Sequence, residues 1–320
     1  MKTIKIMAAL LLLCVVVSCS KDDDDSGSAS TSAGVIDKKT GLRVTSVGNY
    51  RIYYDDKGRV DYIRDNYEKW TFSYNPNIIT YYERYNDDDG GKYNVGYNGL
   101  GYLASLNYSD SNQDGNDKWS ESANVTFSYD GNGHLTKISV SGKYSGTEDG
   151  ERFNETWTDS YSFSWGNSRL QKVVYTEKYV EDGETETEKE TWIFSYDNEN
   201  YENAYQQWVP SIVGYFEGQE QVWACVGLLG VGPNMLPSSA ENTEEEYYDG
   251  KSYNHNNSYT FRYGFNSDGS ISYTTINGTR YNFSYDYAEN DSRKNAPTPG
   301  VQEREFVKSL RHVFRRHKDI

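Results

Sequence analysis

The residues with the most specific chemical spacing lie in the segment from Asp110 to Glu121. Oxygen-bearing side chains stand at the ligand positions of a calcium-loop pattern, and these are Asp110, Asn112, Asp114 and Glu121. Gly115 occupies the place where such a loop turns sharply, so the spacing predicts a site for one Ca²⁺. A polar hairpin loop is the alternative, because the flanking segments alternate like strands instead of helices.

Aromatic side chains form the second group with a chemical use. Flat rings can stack on the apolar faces of sugars while neighbouring polar groups hold the hydroxyls. The candidates by residue type are Trp70, Trp119, Trp157, Trp165, Trp192, Trp208 and Trp223. The alternative is that Tyr and Trp pack on a half-buried sheet while their hydroxyl and indole N–H groups contact water. The ligand-binding residues therefore stay unassigned at this stage.

Covalent and acid–base catalysis has less support in the sequence. Cys225 lies in the apolar run from Val222 to Leu229, and none of the four His stands in a partner motif, which predicts a buried structural thiol. The chain contains no G-x-S-x-G elbow, phosphate-binding glycine loop or H-E-x-x-H motif. We therefore predict no catalytic residue and favour a protein that is not an enzyme.

The composition of the chain limits the partners, the cofactors and the class of fold that it can have. The formal net charge is −16, from 48 acidic and 32 basic residues, which disfavours binding to nucleic-acid phosphates. Three Cys and four His leave little for metal clusters, so no cofactor is predicted apart from the Ca²⁺ above. The chain has 31 Tyr, 28 Gly and six Pro, a composition typical of a β-protein.

The N-terminus has the features of a targeting signal. Residues 1–18 have a basic start and an apolar stretch, which predicts a secretory signal peptide. The following Cys19 resembles the lipidated cysteine of a bacterial lipobox, and the acidic run after it resembles an export tag for the outer face of the outer membrane. Residues 19–40 are predicted to be a flexible tether. We predict a lipid anchor at Cys19 as the membrane partner, with display on the cell exterior. Display toward the periplasm is the alternative.

A short phrase recurs along residues 41–289, in which an apolar residue, a polar residue and Tyr or Trp are followed by a polar turn. Its clearest copy runs from Phe127 to Leu135, and others begin at Ile52, Phe72, Phe163, Phe194, Phe261 and Phe283. Alternation with period two predicts strands, and the Asp/Asn/Gly clusters predict tight hairpins. We predict an all-β, antiparallel up-and-down meander of about 14 to 16 strands in a curled or closed barrel-like sheet.

Three segments depart from this rhythm. Acidic stretches such as 86–91 and 181–186 are interpreted as solvated loop tips between strands. Residues 208–240 form an apolar insertion, which predicts a buried plug or a short helix against the sheet. Residues 290–320 carry eight Lys and Arg against four acids, which predicts a basic tail with a short C-terminal helix.

The phrase from Phe127 to Leu135 resembles the YD-type hairpin repeat. Together with the lipobox, it makes the chain similar to an uncharacterised family of outer-membrane lipoproteins, described as a domain of unknown function with a porin-like fold. The resemblance covers Gly41 to Tyr287 and includes the segment Leu228 to Ser238. It implies a β-fold of barrel type and brings no catalytic residues with it.

These observations favour a surface-anchored binding or structural module with a glycan or another nutrient polymer as ligand. A surface polysaccharide hydrolase and an architectural subunit of a surface complex are the alternatives. An exposed row of aromatic rings would favour binding, two carboxyl groups facing each other in a cleft would favour hydrolysis, and a large flat apolar patch would favour the architectural subunit. The strands are short and mixed in polarity, which favours a water-exposed meander over a lipid-facing barrel.

Overall fold

The computed structural model describes a β-barrel and the segment that fills it. The described residues are 35–37, 42–83, 91–114, 117–148, 151–181, 183–197, 201–213, 219–248 and 251–287. The chain divides into two compact units, Met1–Ser30 and Thr31–Ile320, and all described residues belong to the second. Cys19, the tether and the basic tail, with its predicted helix, lie outside the described residues.

Seventeen strands account for most of the described chain. The first nine are β1 (Val35–Asp37), β2 (Leu42–Val47), β3 (Tyr50–Tyr54), β4 (Val60–Arg64), β5 (Glu68–Tyr74), β6 (Asn77–Glu83), β7 (Lys92–Tyr97), β8 (Leu103–Asp114) and β9 (Asp117–Tyr129). The others are β10 (Leu135–Glu148), β11 (Glu151–Gly166), β12 (Arg169–Glu181), β13 (Glu184–Ser195), β14 (Ser239–Tyr248), β15 (Lys251–Phe265), β16 (Ile271–Ile276) and β17 (Thr279–Tyr287).

Each strand from β2 to β16 pairs antiparallel with the next one in sequence. The last strand, β17, returns to β2, where Phe283 is the Cα partner of Val47, so that 16 strands close into a ring. The short β1 adds a few residues beside β2. The predicted meander and its strand number are confirmed, and the sheet takes the closed form, which leaves no edge open along the ring.

Alternation along each strand separates the two faces of the wall. On β11, Trp157 and Phe163 are buried, whereas Thr158 and Ser162 between them are exposed. On β9, Ala123 is buried and the exposed Ser122 and its alternating neighbours are polar. Around the apolar core, period-two alternation therefore places the rings and aliphatic side chains inside the barrel and mainly hydroxyl and amide groups outside.

The repeated phrase forms a repeated turn. In the copy at Asp130, the Asp130 Oδ1 accepts hydrogen bonds from the backbone N–H groups of Asn132 and His134, at 2.8 and 2.9 Å. The backbone closes with bonds from Asp130 to His134 and from Gly133 to Asp130. The same four bonds recur in the turns at Asp55 and Asn98. These turns join neighbouring strands at one end of the barrel, called the turn end here.

The apolar insertion packs inside the barrel. It contains a 3-10 turn, Pro210–Ile212, and the helix α1, Gln219–Cys225, and its apolar side chains belong to the same core cluster as those of the wall. Trp223 contacts Trp70 of β5 edge to face, with 5.2 Å between ring centroids. Backbone bonds from Leu103 to Leu228 and from Val231 to Gly133 tie it to the wall. The described residues include no helix with the length and apolar character to span a bilayer.

Two acidic segments are mostly strand. Glu181 ends β12 and Glu184 begins β13 as its Cα partner, so within 181–186 only the turn between these two residues is a loop tip. Residues 110–114 and 117–121 likewise belong to paired strands, with Asp110 opposite Glu121. The alternation of Glu with Thr in 184–191 allows a strand with one acidic face, and pairing satisfies its backbone hydrogen bonds. Residues 86–90 lie outside the described ones.

Candidate functional site

Eight strands, β8 to β15, are much longer than the rest and form the candidate site. Their buried apolar residues lie toward the turn end, for example Leu170 and Val173 on β12 and Phe261 on β15. The strands then continue to the opposite hairpins with side chains that are polar or aromatic. We call the inward-facing side chains of β8–β15 beyond the apolar core the inner wall.

The inner wall combines carboxylates with aromatic rings. Its described carboxylates by strand alternation are Asp110, Glu121, Glu155, Asp159, Glu177, Glu181, Glu184, Glu186, Glu188, Glu190, Glu244 and Glu246. Among the described side chains of these strands, the basic ones point outward by the same alternation, apart from Lys251 and His255. The inner wall is therefore a strongly negative surface inside an already acidic protein.

Three rings form a row across neighbouring strands of the inner wall. The Trp119 and Tyr144 ring centroids are 6.0 Å apart, and those of Tyr144 and Phe153 are 4.8 Å apart. All three side chains are half-buried. Gly146 leaves room for the row, since a Cβ atom there would lie 2.5 Å from Phe153. An aromatic row with Glu121 at its edge has the chemistry of a platform for sugar rings.

Tyrosine hydroxyls support the carboxylates at the centre of the inner wall. Tyr175 donates to Glu177 Oε2 at 2.7 Å, and its ring packs against that of Tyr161, 4.7 Å away. Burial is the main cause that raises the pKa of Tyr175, and the charges of Asp159 and Glu177 add to it. Asp159 itself is 5 % exposed. These hydroxyls stay protonated at neutral pH and serve as donors to the acids.

A second cluster lies where β13, β14 and β15 meet the core, and we call it the Glu190 cluster. Glu190 Oε2 accepts hydrogen bonds from Trp192 Nε1 at 2.9 Å and from Asn242 Nδ2 at 2.8 Å. Glu244 is the Cα partner of Glu190 across the β13–β14 pair. The pKa of Glu244 is raised by burial, then by a hydrogen bond with Glu246 and by the charges of Glu190 and Glu246. This carboxyl thus holds a proton to higher pH than an ordinary Glu.

The predicted calcium residues lie on the β8–β9 hairpin. Asp110 and Glu121 also border a shallow cavity of about 450 Å³, whose other lining residues, Lys143 and five serines, belong to the outward face by strand alternation. Asp110 Oδ1 accepts a hydrogen bond from the Ser111 N–H at 2.7 Å, and the side chains of Asn112 and Asp114 lie outside the described ones. Among the described residues, no group of three or more His, Cys, Asp and Glu has an arrangement that could hold a metal. Calcium binding by this hairpin therefore stays a prediction. If it is correct, millimolar Ca²⁺ should raise the Tm of the protein, and Asp114→Ala should remove this rise.

The seven Trp residues divide between core and inner wall. Trp70, Trp208 and Trp223 are almost wholly buried, and Trp165 donates to the Leu135 carbonyl at 2.8 Å. Trp157 and Trp192 line the inner wall at 7 % exposure, and Trp119 stands in the half-buried row. Cys225 is fully buried, and burial raises the pKa of its thiol, as expected of a structural residue.

Sequence reasoning missed the inner wall as a unit. The loop interpretation of 181–186 covers Glu184 and Glu186, yet the alternation of Glu with Thr and Lys from Glu184 to Thr191 carries the signal of a strand with one acidic face. The exposed large hydrophobic residues in the described chain are Tyr67, Leu100, Ile193 and Tyr247. Ile193 and Tyr247 share a strand pair but stand six register positions apart, about 20 Å.

Porin-like proteins are among the solved structures to which this chain is similar. A crystal structure of a porin-like protein from Bacteroides vulgatus ATCC 8482 aligns with a TM-score of 0.48 and 16% identity, covering 76% of this chain and 98% of that one. A porin-like protein from Bacteroides uniformis ATCC 8492 aligns with a TM-score of 0.28 and 10% identity, over 81% and 100% of the two chains. No family model matches the chain, and no curated protein matches its sequence. At these values the likenesses carry no argument about function.

Proposed function

We propose that this protein is a non-enzymatic binding module that is lipid-anchored through Cys19 at the outer face of the outer membrane, and that its inner wall binds a glycan or related nutrient polymer. The main support for this proposal is the row of Trp119, Tyr144 and Phe153, with carboxylates beside it on the same face. Stacked rings supply affinity for the apolar faces of sugars, and carboxylates accept hydrogen bonds from hydroxyls.

The outward face supports a barrel that stands in water beside the membrane. On β11 the outward residues Asn154, Thr158, Ser162 and Ser164 are exposed, and Arg152 begins the row. A lipid-facing barrel carries an apolar band about 25 Å tall on this face. The anchor, and not the barrel, would therefore hold the protein at the membrane, and several acyl chains hold it firmly.

Retention on polysaccharides tests the proposal. Affinity gels cast with common plant and host polysaccharides should retard the protein, and a double variant Trp119→Ala/Tyr144→Ala should lose about tenfold or more in affinity for the retained polymer. Tyr247→Ala, which removes an exposed ring from the outward face of β14, is the matched control and should leave affinity unchanged. Absence of retention on the gels and on a glycan array would overturn the glycan proposal.

A polysaccharide hydrolase is the second candidate, favoured by the raised pKa of Glu244 beside Glu190. Two adjacent carboxyl groups, of which one has a raised pKa, are a pairing that acid–base catalysis on glycosidic bonds uses. The two stand side by side on adjacent strands, however, instead of across a cleft. Incubation of the retained polymer with the protein should release reducing ends that Glu244→Gln abolishes if this candidate is correct, and should release none if the protein only binds.

A further inference from the structure

The Glu190 cluster contains an unsatisfied acceptor in addition to its negative charge. Asn242 is 3 % exposed, and its Nδ2 donates to Glu190. Its Oδ1 has no hydrogen-bond partner within the described part of the chain. A buried amide oxygen without a donor costs free energy, so a donor from outside the protein is expected at this point.

The charges around Asn242 define what that donor can be. Glu190 and Glu244 face each other across the β13–β14 pair, and Glu188 and Glu246 form the next pair along the same face. From β15, His255 is the Cα partner of Glu244 and the remaining inward neighbours are Tyr253, Asn257 and Tyr259. Lys189 pairs with Glu245 on the outward face and does not enter the cluster. The carboxylates give these inward groups an excess of negative charge, whereas His255, Tyr253 and Asn257 also carry hydrogen-bond donors.

Two rings complete the surroundings of these acceptors. Trp192 and Tyr259 lie with their centroids 4.8 Å apart and a 31° angle between their planes. The charges of Glu190 and Glu244 contribute to raising the pKa of Tyr259, after burial. Both carboxyls thus stand close to the ring pair, and aromatic faces attract cations.

We propose that the Glu190 cluster is a subsite for an organic ammonium group, a primary amine carried by the ligand of the inner wall. An ammonium group has three donors and no acceptor, which matches the Asn242 Oδ1 and the carboxylates of Glu190 and Glu244. The charge would offset the repulsion among the carboxylates, and the CH₂ or ring carbon next to nitrogen would lie against Trp192 or Tyr259. The inference rests on the proposed function only in taking the inner wall as the ligand site.

The experiment compares amines with their neutral counterparts. Calorimetric titration at low salt would use a glucosamine tetrasaccharide, its N-acetylated form, and spermidine as an amine without a sugar. We expect the free amine to bind at least about tenfold more tightly than the acetylated form. Glu190→Gln should weaken the amine by about tenfold to hundredfold, whereas Glu241→Gln, the same change on the outward face of β14, should have little effect.

A second readout follows the proton on Glu244. An ammonium group beside this carboxyl favours its ionised form, so binding should release protons at a pH where Glu244 is partly protonated in the free protein. Titrations over a series of pH values measure this release as a dependence of the apparent enthalpy on buffer.

Amine binding that Glu190→Gln weakens by about tenfold to hundredfold supports the inference. If spermidine binds as tightly as the amino sugar, the cluster recognises the amine without a sugar, and the glycan proposal is then decided by polysaccharide retention alone. Equal binding of both tetrasaccharides would overturn the inference, and so would amine binding that Glu190→Gln leaves unaffected. Neither result would affect the glycan proposal if polysaccharides are still retained. Absence of amine binding would overturn the inference whether or not polysaccharides are retained.

Discussion

Single tyrosines act as clamps between successive hairpins. Tyr129 donates to the Leu103 carbonyl at 2.7 Å, and Leu103 is the first residue of the strand that follows the preceding repeated turn. The same contact joins Tyr54 to Val44, Tyr74 to Val60, Tyr196 to Leu170 and Tyr285 to Ile271, and Trp165 takes this role toward Leu135. The tyrosine of the repeated phrase is thus a structural donor, which accounts for part of the high tyrosine content.

Removal of one clamp hydroxyl gives a prediction at this scale. Tyr129→Phe keeps the ring and leaves the Leu103 carbonyl without its donor, so the free energy of unfolding should fall by about 1 to 2 kcal/mol. Tyr247→Phe removes a hydroxyl from an exposed ring and should change it by less than about 0.5 kcal/mol. Denaturant unfolding at neutral pH measures both. Equal values for the two variants would show that the clamp has no energetic role.

At the scale of elements, the repeated turn depends on one backbone conformation. Its fourth residue is Gly58, Gly101, Gly133 or Gly269 in four copies, with φ between +74° and +86°. That region is open to glycine and costs other residues free energy because of their Cβ atom. The turn sets the register of each hairpin and so the position of every inward side chain that follows.

Gly133 and Gly131 offer a matched pair within one turn. Gly133 has φ +84°, and a Cβ there would lie 3.2 Å from Val231 and 3.3 Å from Tyr102. A Cβ at Gly131 would meet nothing within 4 Å. Gly133→Ala should therefore destabilise the protein by about 1 to 2 kcal/mol, and Gly131→Ala should be within about 0.5 kcal/mol of wild type. The unfolding midpoints in urea measure the difference, and equal midpoints would contradict the role assigned to Gly133.

The plug is the other element with a testable consequence. Cys225 ends α1 inside the barrel, and burial raises the pKa of its thiol, so the reactive thiolate is scarce in the native state. We expect a thiol reagent to modify Cys225 only after unfolding, at a rate that rises steeply with denaturant. Removing the plug's main ring by Trp208→Ala should cost about 3 to 5 kcal/mol and speed the modification. Rapid modification of the native wild type would show that the plug opens readily.

The sequence specified the strands better than the site. Phe127, Ser128 and Tyr129 alternate, and the following Asp130 turn is local, so strand and hairpin could be predicted from neighbours in the chain. The inner wall could not, because Glu190, Asn242 and Glu244 meet through pairing between β13 and β14, on the two sides of the plug in sequence. A polar stretch also looks the same as a loop until the pairing of its backbone is known, which is why the sequence alone does not show where β13 begins at Glu184.

At the scale of the whole molecule, closure of the barrel separates the inward carboxylates from the outward lysines and buries many tyrosine side chains. Carboxylates and rings line the inner wall, whereas Lys118, Lys143 and Lys178 lie on the outward face. The excess negative charge is thus concentrated inside the long-strand half. The same closure removes many tyrosine hydroxyls from water, and both effects make the stability of this protein depend on pH.

Alkaline pH should unfold the barrel through its buried tyrosines. Burial is the largest cause that raises the pKa of Tyr54, Tyr74, Tyr129, Tyr196, Tyr263 and Tyr285. In the unfolded chain they ionise near about pH 10. Above that pH the folded state binds more protons than the unfolded state, so this contribution is fully present below about pH 10 and is lost as the pH rises further.

Denaturant unfolding at a series of pH values, followed with tyrosinate absorbance, measures this effect. The free energy of unfolding should fall increasingly steeply above about pH 10, and the buried tyrosines should ionise together with the loss of structure. The variant Tyr74→Phe/Tyr129→Phe removes two of the raised groups and should show a shallower slope, although it is less stable at neutral pH. Ionisation of these tyrosines near about pH 10 with the barrel still folded would mean that water reaches their hydroxyls and that the clamps open in the native state.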